Sequence, residues 1–314
     1  MAAAQQEGKR VLPQEKVGFR RRLLLFSVLL CSGVLAALSL GALAQSRQAG
    51  PAQAAPVWQT EPPALEAVQP TLAPVEETDP PIPLYDFTQP APEAPAVEDD
   101  YFSDAVFLGD SRSDGLRLYS GIRGADFLAY KSLMVFQVTG TCGLDRKAIP
   151  MNGKGDKKTV LDFLEEKQYA KVYIMFGVNE LGFRDDVGFQ TSFGQLIDEV
   201  RQRQPDAVIY IQSLIQVNPE KAKKTNPAAW LNNEKVAEYN DYLRQVAQDK
   251  QAVYIDVEAA LVGENGDLPP EGTTDGIHFT KSYYKLWYEY LKTHTVDADL
   301  YAQSVAAAEK ETSE

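Results

Sequence analysis

The sequence predicts an α/β domain over residues 101–300 in which a mostly parallel, five-stranded sheet is covered by helices on both faces. Three observations predict it. Short, continuously apolar runs recur along this part of the chain, amphipathic stretches lie between them, and glycine or polar residues close the runs. Apolar runs without alternation are what strands buried on both faces look like, and strand–helix alternation is the pattern of parallel β-α-β units.

The elements follow in order. "DAVFLGD" (104–110) reads as the first strand and ends on Gly109-Asp110. "ADFLAY" (125–130) is a weaker strand candidate, and "TVLDFLEEKQY" (159–169) is a helix with apolar residues at 160, 161, 163 and 164. "KVYIMFG" (171–177) is a strand, followed by the helical stretch 193–203 with apolar residues at 193, 196, 197 and 200. "AVIYIQSL" (207–214) is the next strand. A helix over 230–248 then keeps 236, 239, 243 and 246 on one face, and "AVYIDV" (252–257) is the last strand. Such spacings place the apolar residues on one helix face. Residues 301–314 are expected to be a polar C-terminal tail.

The first hundred residues have a different character. Residues 23–44 contain no charged side chain, and at the rise of an α-helix they would span roughly 33 Å, enough to cross a bilayer core. Arg20, Arg21 and Arg22 precede this stretch directly, which places residues 1–22 in the cytoplasm and the rest outside. A cleaved signal peptide ending at Ala42-Leu43-Ala44 is the rival, but its apolar region would exceed the usual 7–15 residues. A membrane anchor with an extracellular domain is therefore expected. Residues 45–100 hold 12 of the 19 prolines and ten acidic residues against one arginine, the composition of a disordered tether.

The formal charge of −13 is divided as +4 over residues 1–44, −9 over 45–100 and −8 over the remainder. A nucleic-acid partner would need a basic face that the domain lacks. Cys31 lies in the apolar stretch, so Cys142 has no partner for an internal disulfide and is expected to be a small buried hydrophobe. His278 and His294 are the only histidines, and with no Cys/His cluster neither a metal nor a cofactor is expected. His294 is expected to close a helix, where an imidazole suits the dipole.

Ligands in open parallel sheets bind at the carboxyl ends of the strands. Gly109-Asp110-Ser111 follows the first strand, Gly177-Val178-Asn179-Glu180 follows the strand at 171–177, and Asp275-Gly276-Ile277-His278 comes after the last strand. Ser111 alone would read as a helix cap. The convergence of the three segments on one sheet edge supplies a reason for more. A serine hydroxyl needs a base to take its proton, a histidine is suited to that, and a carboxylate fixes the imidazole tautomer. Backbone N–H groups and the Asn179 amide could then stabilise an oxyanion.

In this order, "GDS", "GVNE" and "DGIH" resemble the signature blocks of the SGNH/GDSL hydrolase family across residues 104–293. The resemblance implies a three-layer α/β/α sandwich of flavodoxin-like topology. It also implies Ser111 as nucleophile, His278 as base, Asp275 as its orienting partner, and Ser111 with Asn179 in the oxyanion hole. The family's glycine donor is expected in "VTGTCG", at Gly140 with Gly143 as the alternative. Two residues depart from the pattern. Arg112 stands where leucine often follows the serine, and Glu180 replaces an aspartate. Arg112 is expected to shape substrate choice or lie solvated on a helix, and Glu180 to keep its charge at a shifted position from which it too could shape the substrate site.

The expected activity is that of a membrane-tethered serine esterase acting through an acyl-Ser111 intermediate on O-acylated polysaccharides of the cell envelope. The alternatives are a glycan O-acetyltransferase, a lysophospholipase or thioesterase acting on a lipid substrate, and a glycan-binding module without chemistry.

Overall fold

The computed structural model describes residues 83–183, 185–228 and 230–313. The basic segment 1–22, the apolar span 23–44 and the tether up to residue 82 lie outside the described residues. Among the described residues, no helix is long and apolar enough to cross a membrane.

Five strands form one parallel sheet: β1 (Ala105–Gly109), β2 (Asp126–Ala129), β5 (Lys171–Met175), β6 (Val208–Gln212) and β7 (Val253–Ile255). Their order is β2-β1-β5-β6-β7, and every neighbouring pair is parallel. A short antiparallel pair, β3 (Ile149–Pro150) and β4 (Lys157–Lys158), lies between β2 and β5 in the chain and was not anticipated. The strand order reverses direction at β1, so a crevice opens at the carboxyl ends of β1 and β5.

One row of aromatic rings pins the sheet register. Phe127, Phe107, Tyr173 and Tyr210 are cross-strand partners on β2, β1, β5 and β6, and their rings stack at centroid separations of 4.8, 4.7 and 4.5 Å. Cross-strand aromatic pairs are among the favourable units of sheet packing. A slip of one residue would turn the whole row to the other face.

Helices cover both faces, as the alternation predicts. On one side α1 (Ser111–Tyr119) packs on α7 (Lys281–Thr293), and α8 (Ala298–Ser313) reaches β6. On the other, α4 (Asp186–Arg203) packs between α3 (Val160–Glu166) and α6 (Asn233–Asp249), and also meets the short α2 (Val135–Thr139). A further short helix, α5 (Pro219–Thr225), precedes α6. Within α6, Val236, Tyr239, Leu243 and Val246 are all buried, which is the face its spacing marks out.

Two boundaries differ from expectation. The tail expected at 301–314 is helical to Ser313 as part of α8; Tyr301 is buried and accepts the Arg201 guanidinium, while Ser304 receives the backbone N–H of Tyr85. Small alanines spaced along an otherwise polar sequence gave the helix a face narrow enough to escape notice. The expected tether also ends earlier than residue 100. Residues 83–97 lie along the domain: Ala91 N–H donates to Tyr254 O on the edge strand β7, and Ala94 and Val97 donate to Thr293 O and Lys292 O at the end of α7. An edge strand left bare invites pairing with another chain, and this strap covers it.

Candidate active site

Asp110 follows β1 and caps α1, its Oδ1 accepting the backbone N–H of Arg112 at 2.8 Å. The cap function that Ser111 could have served is thereby filled by its neighbour. Ser111, the first residue of α1, has its hydroxyl free for chemistry and its backbone N–H free of any intrahelical acceptor. Gly109 admits this turn because a Cβ there would stand 2.1 Å from Ser113 Oγ and 2.9 Å from Met175 O.

Asp275 and His278 reach the same place from a loop pinned by its own polar groups. Thr273 donates its hydroxyl to His278 O at 2.5 Å and accepts the Gly276 N–H at 2.9 Å. Gly276 has φ of +87°, and a Cβ would stand 2.1 Å from the backbone nitrogen of Ala222 on α5, so only glycine fits. Asp275 Oδ1 accepts the N–H groups of Ile277 and His278, each at 2.8 Å. Its Oδ2 lies 2.6 Å from His278 Nδ1, and His278 Nε2 lies 2.8 Å from Ser111 Oγ.

Protonation follows from these contacts. Partial burial works against ionising Asp275, but the bonds from the His278 ring and the two backbone N–H groups outweigh it and hold the carboxyl below its ordinary range. A carboxylate can only accept, so Nδ1 carries the proton and the Nε2 lone pair faces the Ser111 hydroxyl. The group is open to solvent, with side-chain exposures of 41% for His278 and 34% for Asp275.

Asn179 follows β5 as expected and stands beside Asp110. Its Nδ2 donates to Asp110 Oδ2 and to Leu133 O, both at 3.2 Å, the long end of the hydrogen-bond range. Gly140 does not take the expected oxyanion position. It closes α2 with φ of +75°, and its N–H is spent on Phe136 O at 2.8 Å. Gly143 lies two residues past that cap-forming turn, exposed, with open space where a Cβ would be.

Ser132, which sequence reasoning did not single out, lies in a turn on the same sheet edge. Tyr130–Leu133 form a turn directly after β2, with Leu133 N–H on Tyr130 O and Tyr130 N–H on Gly109 O. The register pairs Gly109 with Ala129, so this turn lies one strand away from Asp110 and Ser111. Ser132 is exposed at φ of +56°, and among the described residues nothing accepts its N–H. The rule that ligands gather at strand ends pointed here too, but the weakness of the second strand hid the turn.

Arg112 and Glu180 do not line the substrate face. Arg112 is 1% exposed; its Nε donates to Ile277 O at 3.1 Å and its Nη1 to Ile215 O at 2.7 Å, with the guanidinium 5.2 Å from the centre of the Phe279 ring. Glu180 is fully buried, and its Oε1 accepts the first N–H of α2, from Val135. Burial pushes its pKa up to about 8, against the help of the Val135 bond and reinforced by the charge of Asp110. Burial thus favours the uncharged carboxyl, against the expectation that Glu180 keeps its charge. Asp110 is raised as well, by burial first, with the Arg112 charge and N–H opposing.

Cys142 is exposed rather than buried, at φ of +50° and 3.7 Å from Asp185 Oδ2. His294 closes α7 as expected and stacks on Tyr290 at 3.6 Å. Among the described residues no group of three or more His, Cys, Asp or Glu could hold a metal ion.

The family model for GDSL-like lipases and acylhydrolases matches residues 107–286. No curated protein matches the chain. Similar solved structures include a GDSL-like lipase from Bacteroides thetaiotaomicron, at 14% identity over 67% of this chain and 90% of that one, with a TM-score of 0.42. A lipolytic protein of the G-D-S-L family from Desulfitobacterium hafniense is 16% identical over 61% of this chain and 98% of its own, with a TM-score of 0.44. An acetyl-xylooligosaccharide esterase variant from Geobacillus is 13% identical over 62% and 94%, with a TM-score of 0.41.

Proposed function

The chain belongs to the GDSL-like lipase/acylhydrolase family and is an ester-cleaving serine hydrolase, and from that premise we propose that it deacylates O-acylated glycans of the cell envelope through an acyl-Ser111 intermediate. The observation that carries the chemistry is the continuous line Ser111 Oγ–His278 Nε2, 2.8 Å, and His278 Nδ1–Asp275 Oδ2, 2.6 Å. His278 takes the serine proton as Oγ attacks the ester carbonyl. The imidazolium, steadied by Asp275, returns that proton to the leaving alcohol. Water, deprotonated by the same imidazole, then attacks the acyl carbon and frees Ser111 with release of the carboxylic acid.

The developing oxyanion is received by the N–H groups of Ser111 and Ser132, joined by Asn179 when its amide gives up one of its two long bonds. Hydrogen bonds of this kind commonly tighten only once substrate is present. The polymer substrate is supported by the openness of the His278–Asp275 pair, which suits a chain lying across the site. A position outside the cell, on an anchor formed by residues 23–44, is supported by the uncharged span, the arginines before it and the proline-rich stretch after it.

Incubating the full chain with O-acetylated and chemically deacetylated cell-wall glycan, and measuring free acetate, tests this reading. Acetate released only from the acetylated polymer, and lost in Ser111→Ala, is expected. Acyl transfer to an added sugar without acetate release would make the enzyme a transferase. Faster turnover of long-chain lipid esters would overturn the glycan assignment.

A further inference from the structure

Arg112 presents a physical problem that the reaction above does not use. A guanidinium is charged in any protein, yet this one is 1% exposed and among the described residues no carboxylate bonds it. Its head is held by two backbone carbonyls and the face of Phe279, and its Nη2 is buried without a partner among the described residues. Burying such a cation is expensive, and an apolar side chain of similar length would fill the space at lower cost. A leucine or methionine could not do what the carbonyl bonds do.

Those two carbonyls are the informative part. Ile277 immediately precedes His278, and Ile215 lies just beyond β6, on the way to α5, against which the His278 loop packs. Arg112 itself immediately follows Ser111. The chain therefore closes a small circuit: Ser111 is bonded to Arg112, Arg112 Nε to Ile277 O, Ile277 to His278, and His278 Nε2 back to Ser111 Oγ. We propose that Arg112 is a positioning residue, whose guanidinium holds the loop carrying His278 at the height over Ser111 that proton transfer requires. The inference rests on the reading of Ser111 and His278 as nucleophile and base. The charged and titratable groups around the guanidinium are Asp110, the residue after β1, Tyr284 on α7 and Asp275 on the loop.

The test uses the full chain with Arg112→Lys, Arg112→Met and Arg112→Ala. Folding is followed by circular dichroism, kcat and KM on p-nitrophenyl acetate, and the rate of serine labelling by a fluorophosphonate. Folded variants are expected to lose kcat by about 10- to 100-fold, the scale on which a 1 Å misplacement acts, with KM within twofold. Lysine should lose least, labelling should slow in parallel, and added guanidinium should restore part of the Arg112→Ala activity. A folded Arg112→Met with wild-type kcat would overturn the proposal, as would a rise in KM at constant kcat. Loss of folding in all three variants would make Arg112 part of the scaffold and overturn it too. Absence of labelling in the wild type is a different result, which defeats the reading of Ser111 itself.

Discussion

A carboxyl group's chemistry is set by its surroundings, and Glu180 shows how far. It lies in the core against the N-terminus of α2, with its pKa pushed from the ordinary glutamate range up to about 8, chiefly by burial. Unfolding therefore releases a proton between about pH 4.5 and 8, and the contribution of this residue to stability declines as pH rises through that window. Glu180→Gln keeps an acceptor for the Val135 N–H and has no charge to bury. Its melting temperature relative to wild type is expected to improve steadily from pH 5 to pH 8; parallel curves would mean that Glu180 is ionised in the folded protein. Ser132 offers a second check at this scale. If only its backbone N–H matters, Ser132→Gly and Ser132→Ala should both keep kcat within about threefold, and the glycine variant should stay within about 1 kcal/mol of wild type because φ of +56° suits glycine. A tenfold loss in both would show that the hydroxyl takes part.

Elements position these residues, and two predictions belong to them. The strap at 83–97 contributes three main-chain hydrogen bonds, to Tyr254, Thr293 and Lys292, worth about 3 kcal/mol together. A chain starting at residue 98 is expected to melt roughly 6–12 °C below one starting at 83; calorimetry of the two decides, and equal midpoints would make the strap ornamental. Gly276→Ala is expected to cut kcat at least tenfold and to lower the melting temperature, since the added Cβ meets the backbone of α5 and must push the loop off it. An unchanged kcat would show that the loop tolerates displacement. The contrast with Gly140 explains what could be read in advance. Ser111, Asn179, Asp275 and His278 were legible because each follows a strand or sits in a compact local motif. Gly140 was misread because a glycine closing a helix and a glycine lending its N–H look alike as letters, and the five-residue α2 was too short to announce itself. Arg112 read as substrate-shaping or solvated because the carbonyls that bury it belong to Ile215 and Ile277, far along the chain.

At the scale of the whole molecule, the parallel sheet and its strand order bring segments near residues 110, 132, 179 and 278 to one edge, which no local pattern contains. The apolar runs made the five strands visible, while the strap was hidden by its prolines and α8 by a sequence of small alanines and polar residues with few large apolar ones. The acidic balance of the chain, −13 in all, argues against a nucleic-acid partner and leaves an open serine site on a domain proposed to work outside the membrane. The central claim is that this site holds an activated serine. Intact mass of the full chain after fluorophosphonate treatment tests it most directly, alongside folded Ser111→Ala and His278→Ala. One adduct on wild type, none on Ser111→Ala and strongly slowed labelling of His278→Ala is the predicted result. A folded wild type that gains no adduct, or a Ser111→Ala variant that still gains one, would contradict the account.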